Sequence, residues 1–279
     1  MRLFLQKILF VSYLAILLPG CEALKNFKFE DSGADHEFAD WDAKMFHEKA
    51  KAAMDASNYM KAIKLYETLE ARYPFGAYAA QTQLDVAYAY YKNNDHEAAI
   101  AAVDRFIKIH PRNPSVDYAY YLKGLVNFNR SIGFTDRFLP TDASQRNPSN
   151  VVEAYENFQE LVYRFPDSKY VPDAKQRMLS LRNNLAMYEV HVARFYFKRR
   201  AYVAAANRGS YVVKEFQRTP AVPYALQVME KAYTKLGLED LAADAKRVYE
   251  QNYPDGPPVE EYKEYTIMHQ FWEFIGLDK

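Results

Sequence analysis

One helical pattern recurs five times along this chain of 279 residues and constrains its fold more than any other feature. Each copy starts at an alanine, continues with apolar residues at helical spacing, and reaches an aromatic residue or a histidine eleven positions after the alanine. Such spacing places the apolar side chains on one face of an α-helix. The five anchor alanines are Ala62, Ala99, Ala154, Ala205 and Ala242.

The distances between the anchor alanines indicate the type of repeat. They are 37, 55, 51 and 37 residues, whereas a tetratricopeptide (TPR) unit, a helix–turn–helix, has about 34 residues. Two spacings match a TPR unit with a slightly longer loop, and the other two include insertions. A small residue at each helix crossing lets two backbones approach, and an aromatic side chain from the neighbouring helix fills the remaining space. The sequence predicts an all-α TPR-type solenoid of five repeats, in preference to a generic helical bundle.

The two long spacings have different predicted causes. Residues 131–150 contain one glycine and two prolines, which predicts a loop inserted in repeat 3. The segment 172–200 has no helix breaker after its first proline, which predicts one long helix of about seven turns joining repeats 3 and 4. We therefore expect an N-terminal half, residues 41–169 with repeats 1–3, and a C-terminal half, residues 170–254 with repeats 4–5. Residues 255–279 predict a proline-rich turn and a C-terminal aromatic helix, which either caps the last repeat or docks on a partner.

Cys21, the only cysteine, ends a segment typical of an exported bacterial lipoprotein. A positively charged start is followed by eleven largely apolar residues, 8–18, and then by Leu18-Pro-Gly-Cys21. Eleven residues are too few to cross a bilayer, which needs about 20 helical residues. The pattern resembles a lipobox, so residues 1–20 are a predicted signal peptide, Cys21 a predicted lipidation site that anchors the chain to a membrane, and residues 21–40 a flexible tether. The alternative is an unmodified thiol behind an ordinary signal peptide.

Composition and motifs argue against several function classes. Lys plus Arg and Asp plus Glu both number 36, so the formal net charge is zero, whereas a nucleic-acid partner favours a basic excess. The chain has no phosphate-binding loop, dinucleotide-binding glycine motif, nucleophile elbow or paired-histidine zinc motif, and its six histidines are scattered. We therefore expect no catalytic residue, no metal and no cofactor. An enzyme site in the loop 131–150 is the weakest alternative.

Four short strings resemble those of the BamD family of outer-membrane lipoproteins, and generic TPR proteins do not share them. The strings are Arg72-Tyr-Pro-Phe-Gly76, Ala89-Tyr-Tyr-Lys-Asn93, Asp104-Arg-Phe-Ile107 and Ala206-Asn-Arg208. The resemblance implies a scaffold of the outer-membrane β-barrel assembly complex, on the periplasmic face of the outer membrane of a Gram-negative bacterium. Its implied partners are the periplasmic domains of the BamA-like barrel subunit, other assembly lipoproteins and unfolded barrel-protein peptides. The alternative function is a periplasmic TPR lipoprotein that organises cell-wall or secretion enzymes.

In a TPR array, the first helix of each repeat lines a concave groove. The corresponding positions here are aromatic, apolar and lightly basic, which suits a peptide with an aromatic end and a terminal carboxylate. The last strand of a bacterial barrel protein has this chemistry. The alternative is that the tyrosines only pack between helices. The predicted groove residues are Lys51 and Met54 in repeat 1, Leu84, Tyr88, Tyr91 and Lys92 in repeat 2, and Tyr118, Tyr121, Leu125 and Phe128 in repeat 3.

A second predicted contact is Arg208, in the otherwise apolar stretch 204–213. The family resemblance implies docking of the barrel subunit at this position, on the second helix of repeat 4. An arginine that pairs with a carboxylate is well suited to such a contact. The alternative is an arginine that only faces solvent.

Overall fold

The computed structural model describes Phe38, residues 40–131 and residues 148–257. The predictions for the signal peptide, for Cys21 and most of the tether 21–40, for most of the loop 131–150 and for the C-terminal aromatic helix lie outside the described residues. Within them the chain forms ten α-helices and no strand. The helices are α1 Ala43–Asp55, α2 Tyr59–Arg72, α3 Ala79–Lys92, α4 His96–Ile109, α5 Val116–Ser131, α6 Ser149–Arg164, α7 Val171–Lys198, α8 Tyr202–Glu215, α9 Val222–Leu236 and α10 Glu239–Asn252.

Consecutive helices pair into five hairpins, and each hairpin packs on the next one along the chain. This arrangement is a solenoid and confirms the predicted all-α TPR-type fold. The predicted long helix is also confirmed, because α7 runs without a break for 28 residues, or about 42 Å at 1.5 Å per residue. Its second residue is Pro172, which is tolerated there because the first-turn N–H groups have no partner within the helix. α7 contacts α6, α8 and α9 and so joins repeats 3, 4 and 5.

The anchor alanines lie at the helix crossings. Four of them have no exposed surface, and Ala242 in the last repeat is 6% exposed. Phe46, Phe106 and Phe158 are fully buried beside them and supply much of the core volume. Gly124 has no room for a side chain, because an ideal Cβ at this position would lie 2.4 Å from Cε1 of Phe158. The crossing of α5 and α6 therefore depends on glycine, and a larger residue would force the two helices apart.

The recurring aromatic residue or histidine ends the second helix of each repeat. The backbone N–H of Tyr73 donates to the carbonyl of Leu69. In the same way, the N–H groups of His110 and Phe165 donate to the carbonyls of Phe106 and Leu161. A proline follows each of these three residues and cannot continue the helix. At the opposite ends of the hairpins, the side chains of Asn58 and Asp95 cap α2 and α4 by accepting from backbone N–H groups. The turns between helices therefore follow directly from the repeated sequence.

The chain just before α1 is held on repeat 1 by the Arg72-Tyr73 pair. Arg72 Nη1 donates to the carbonyl of Phe38 at 2.7 Å, and the Tyr73 hydroxyl donates to the carbonyl of Trp41 at 3.1 Å. The Phe38 side chain is 6% exposed and packs against the rings of Trp41 and Phe46. The point at which the chain enters the solenoid is therefore fixed. In the part of the chain that the structure describes, no helix combines the length and the apolar character that crossing a membrane requires.

Candidate functional site

The first helices of repeats 1 and 2 enclose a cavity of about 320 Å³ on the groove side of the solenoid. The predicted groove residues Lys51, Met54 and Tyr88 all line it. Periodicity explains this convergence, since Lys51 and Met54 lie one turn apart on α1 and Tyr88 occupies the matching face of α3. The remaining lining residues are His47, Tyr66, Gln81 and Asp85.

Asp85 forms the polar floor of this cavity. Its Oδ2 lies 3.2 Å from His47 Nε2, and its Oδ1 accepts a hydrogen bond from Gln81 Nε2 at 2.7 Å. The His47 ring stacks on Tyr78 with the ring centroids 4.9 Å apart, so this partner of the carboxylate is held in position. Burial raises the pKa of Asp85, although Gln81, His47 and Lys51 favour the ionised form. The cavity thus combines apolar walls with a desolvated carboxylate that its neighbours keep oriented.

A continuous series of tyrosines extends from this cavity across repeats 2 and 3. Tyr88 and Tyr91 lie on α3 with ring centroids 6.0 Å apart. Tyr118 and Tyr121 on α5 both contact Tyr170, at 5.5 and 4.7 Å, and the Tyr121 and Tyr170 rings are nearly parallel at 14°. Burial raises the pKa of Tyr118, and the nearby Tyr88 and Tyr170 raise it further. The rings therefore form one aromatic surface that spans α3, α5 and the start of α7.

Polar contacts hold the far end of this aromatic surface against α7. The Tyr121 hydroxyl donates to Asp173 Oδ2 at 2.7 Å, and Arg177 Nε donates to the same oxygen at 2.6 Å. Burial and the hydrogen bond to Asp173 raise the pKa of Tyr121 to about 12. The Arg177 guanidinium also lies 4.9 Å from the centroid of the Phe128 ring, a cation–π contact. These contacts fix the ring positions, so the surface is prepared before any ligand arrives.

Not every predicted groove residue is placed on this surface. Leu84 is 3% exposed and packs in the core of repeat 2, so it supports the groove from beneath and offers no surface to a ligand. Lys92 is exposed at the end of α3, but its Nζ lies 5.7 Å from the Tyr59 ring centroid on α2. Leu125 is half-buried beside the core of repeat 3. The accessible groove is therefore more aromatic and less basic than the sequence alone suggests.

Several residues of the site were not predicted from the sequence. His47 precedes Lys51 by four residues and Asp85 precedes Tyr88 by three, so the same periodicity could have indicated them. Tyr170 lies in the turn before α7, where helical spacing gives no signal. Arg177 lies on a helix of the next repeat, and only the fold brings it to Phe128.

Arg208 lies on α8, outside this aromatic surface, and its side chain is 45% exposed. Its Nη1 pairs with Glu189 Oε2 on α7 at 2.9 Å, so it is partly oriented by its own chain. Tyr211, three residues after Arg208, is 45% exposed and lies beside it on α8, whereas Val203, five residues before it and 60% exposed, lies about 140° around the helix. This surface of repeat 4 combines a positioned arginine with an accessible tyrosine, which is a composition found in docking sites.

Replacement of Asp85 by asparagine is expected to raise the stability of the fold at neutral pH. A raised pKa in the folded state means that the folded chain binds the proton more tightly than the unfolded chain, so Asp85 costs stability as pH rises through its folded pKa. The Asp85→Asn variant should be more stable than the parent at pH 7, and this difference should shrink as the pH is lowered toward 3 and Asp85 takes up its proton. Urea unfolding at both pH values measures the difference. An unchanged or lower stability at pH 7 contradicts the expectation.

Among residues 40–131 and 148–257, no group of three or more histidines, cysteines or carboxylates is placed to hold a metal ion.

Comparison with known proteins gives a consistent result. A family model described as YfiO, an outer membrane lipoprotein, matches residues 39–248. The outer membrane protein assembly factor BamD of Neisseria meningitidis serogroup A is 44% identical over 253 residues, which cover 91% of this chain and 93% of that protein. BamD of Xylella fastidiosa strain Temecula1 is 36% identical over 87% of this chain and 80% of its own length. BamD of Vibrio cholerae serotype O1 is 36% identical over 74% of this chain and 86% of its own length.

Proposed function

This chain belongs to the BamD family of outer membrane protein assembly factors, and on that premise we propose that it is a lipid-anchored scaffold of the β-barrel assembly complex. In this role it docks on the periplasmic domains of the barrel subunit and on other assembly lipoproteins. Its groove holds C-terminal segments of unfolded barrel proteins. The anchor is Cys21, on the periplasmic face of the outer membrane.

The observation that carries the groove assignment is the aromatic surface beside the Asp85 cavity. An extended peptide exposes side chains on alternate sides, so every second residue can contact the tyrosines. The parallel Tyr121 and Tyr170 rings, 4.7 Å apart, leave accessible ring edges and faces for aromatic peptide side chains. Lys51 is exposed and lines the cavity, so its ammonium group is available to a terminal carboxylate. Because hydrogen bonds to Asn129 and Asp173 already hold Tyr91 and Tyr121, these two side chains lose little entropy on binding.

Combined replacement of Tyr91 and Tyr121 by serine is expected to weaken peptide binding. Two ring contacts are lost, at about 1 kcal/mol each, which corresponds to a roughly thirtyfold higher Kd. The measurement is fluorescence anisotropy with a synthetic peptide that ends in phenylalanine and has a free terminal carboxylate. The same peptide with an amidated end tests the contribution of Lys51 and should bind more weakly.

Two controls separate binding from folding. Tyr163, on α6, is 86% exposed and away from the aromatic surface, so Tyr163→Ser should leave the Kd unchanged. Replacing Tyr91 and Tyr121 by phenylalanine keeps both rings while removing the bonds to Asn129 and Asp173, and it should retain most of the affinity. If circular dichroism shows that the double serine variant is folded and it still binds the peptide as tightly as the parent, the groove is not the peptide-binding site.

A further inference from the structure

We propose that the edge formed by the inter-repeat turns of repeats 1–3 rests on the surface of a phospholipid bilayer. The helices of a hairpin run in opposite directions, so α2, α4 and α6 all end at the same edge of the solenoid. The turns that follow them are residues 73–78, 110–115 and 165–170. We call these turns, together with the adjoining helix ends 108–109, 116–117 and 163–164, the turn edge. The inference rests on the lipid anchor of the proposed function, and it adds a second membrane contact made by the folded repeats.

Large apolar side chains project from the turn edge. Phe75, in the first turn, is 97% exposed, Ile109 at the end of α4 is 54% exposed, and Tyr163 near the end of α6 is 86% exposed. Phe75 and Tyr163 are the two most exposed large apolar side chains in the described part of the chain. Such side chains are unfavourable in water and are stabilised at the boundary between lipid headgroups and acyl chains. Phe75 at the first turn and Tyr163 beside the third, with Ile109 beside the second, are therefore suited to shallow insertion.

The charge of the turn edge favours a negatively charged surface. Residues 73–78, 108–117 and 163–170 contain four cations and two carboxylates, a net charge of +2 in a chain whose net charge is zero. The cations are Lys108, Arg112, Arg164 and Lys169, and the carboxylates are Asp117 and Asp167. A cleft of about 540 Å³ separates the second and third turns, and Arg112 and Arg164 line it together with both carboxylates. Asp117 already accepts a hydrogen bond from Ser168 at 2.7 Å, and Arg164 pairs with Glu160 at 2.8 Å.

The opposite edge of repeats 1 and 2 has a different character. Its turns, residues 55–58 and 92–95, contain two aspartates and one lysine, and the tyrosines that adjoin them, Tyr59 and Tyr91, are half-buried. The large apolar side chain exposed beside them is Met60, at 74%. Of these two edges, only the turn edge therefore combines positive charge with exposed aromatic rings.

The tether brings the turn edge close to the membrane. Phe38 is fixed at this edge because its carbonyl accepts from Arg72, the last residue of α2. Cys21 precedes Phe38 by 17 residues, and if these residues act as the predicted flexible tether, their root-mean-square reach is about 23 Å. Anchoring through Cys21 gives the turn edge a high local concentration of lipid. Contacts that are too weak to bind the free protein can then hold the turn edge on the membrane. Insertion of Phe75, supported by the cations, then orients the repeats relative to the bilayer.

An environment-sensitive label at Ala77 tests this orientation. Cys21 is the only native cysteine and its sulfur carries the predicted lipid, so Ala77→Cys introduces a single reactive thiol two residues from Phe75. The labelled, lipidated full chain is bound to vesicles of phosphatidylethanolamine and phosphatidylglycerol, and flotation confirms that it is attached. We expect fluorescence about twofold higher than in detergent-free buffer, with quenching by brominated lipid. This increase in fluorescence should disappear when Phe75→Ser is combined with the label, and it should be smaller at about 0.5 M salt.

Ser57→Cys, labelled in the same way at an exposed position on the opposite edge, is the matched control and should show neither effect. The proposal is overturned if the protein floats with the vesicles but the Ala77 label remains in water. It is also overturned if both edges respond equally, or if Phe75→Ser leaves the Ala77 signal intact. If the protein does not float with the vesicles, the lipid anchor of the proposed function is wrong. The proposed contact of the turn edge with the bilayer, which depends on that anchor, is then wrong as well.

Discussion

Replacing Gly124 by leucine is expected to lower the free energy of unfolding by about 3 kcal/mol or more. An added Cβ lies 2.4 Å from Cε1 and 2.5 Å from Cδ1 of Phe158, which is fully buried. A ring packed in this way cannot move aside as a flexible side chain would. The rings of Tyr121 and Phe128 lie 6.1 and 6.4 Å from that of Phe158, so displacement of α6 also disturbs the groove. Urea unfolding measures the first effect, and peptide anisotropy the second.

Gly76 provides the matched control for this substitution. The nearest atoms to an added Cβ at Gly76 lie 3.5 Å away, which is ordinary contact, and the residue is exposed. Gly76→Leu should therefore change the stability by less than about 0.5 kcal/mol. The double variant Gly124→Leu, Phe158→Ala removes the ring that opposes the new side chain. It should recover part of the lost stability, because the side chains at the two positions occupy the same space. Equal stability of Gly124→Leu and the parent would show that this crossing is not limited by space.

The fold could be predicted because its determinants are local and repeated. An alanine and an aromatic residue at fixed offsets indicate which face of each second helix is buried, and the burial of Ala62, Ala99 and Ala154 confirms this. The long helix α7 was predictable because no proline or glycine interrupts residues 173–198. Both inferences need only the period of the α-helix and the properties of helix breakers.

The groove could be predicted only in part. The TPR positions indicated Tyr88 and Tyr121, because these positions depend on the helical period alone. The contact between His47 and Asp85 joins residues 38 positions apart, and that between Tyr121 and Asp173 joins residues 52 positions apart. Such contacts depend on how the helices of successive repeats are inclined to each other, which periodicity does not specify. Leu84 illustrates the same point, because it precedes Tyr88 by about one turn and yet the inclination of α3 buries it.

Reversing the charge of Arg208 is expected to break docking on the barrel subunit while leaving the fold intact. The Arg208 side chain is 45% exposed, so water screens its ion pair with Glu189. This pair therefore contributes about 1 kcal/mol at most to the stability of the fold. If α8 is the docking surface and Arg208 binds a carboxylate of the barrel subunit there, Arg208→Glu brings two negative charges together and also places one beside Glu189. Loss of such a contact costs about 2 to 5 kcal/mol, or at least a thirtyfold rise in Kd. Pull-down of the barrel subunit's periplasmic domains by the purified chain measures the loss.

Two variants distinguish direct docking from an indirect effect of the broken pair. Glu189→Gln removes the carboxylate that orients Arg208 but keeps the positive charge, so docking should persist with modestly reduced affinity. Arg247 on α10 is 59% exposed and pairs with Asp244 at 2.9 Å, so Arg247→Glu reverses a comparable arginine on another surface and should have no effect. If Arg208→Glu retains the complex, or if Arg247→Glu disrupts it equally, α8 is not the docking surface. The arginine then serves only to join α8 to α7, and the exposed Val203 and Tyr211 require another explanation.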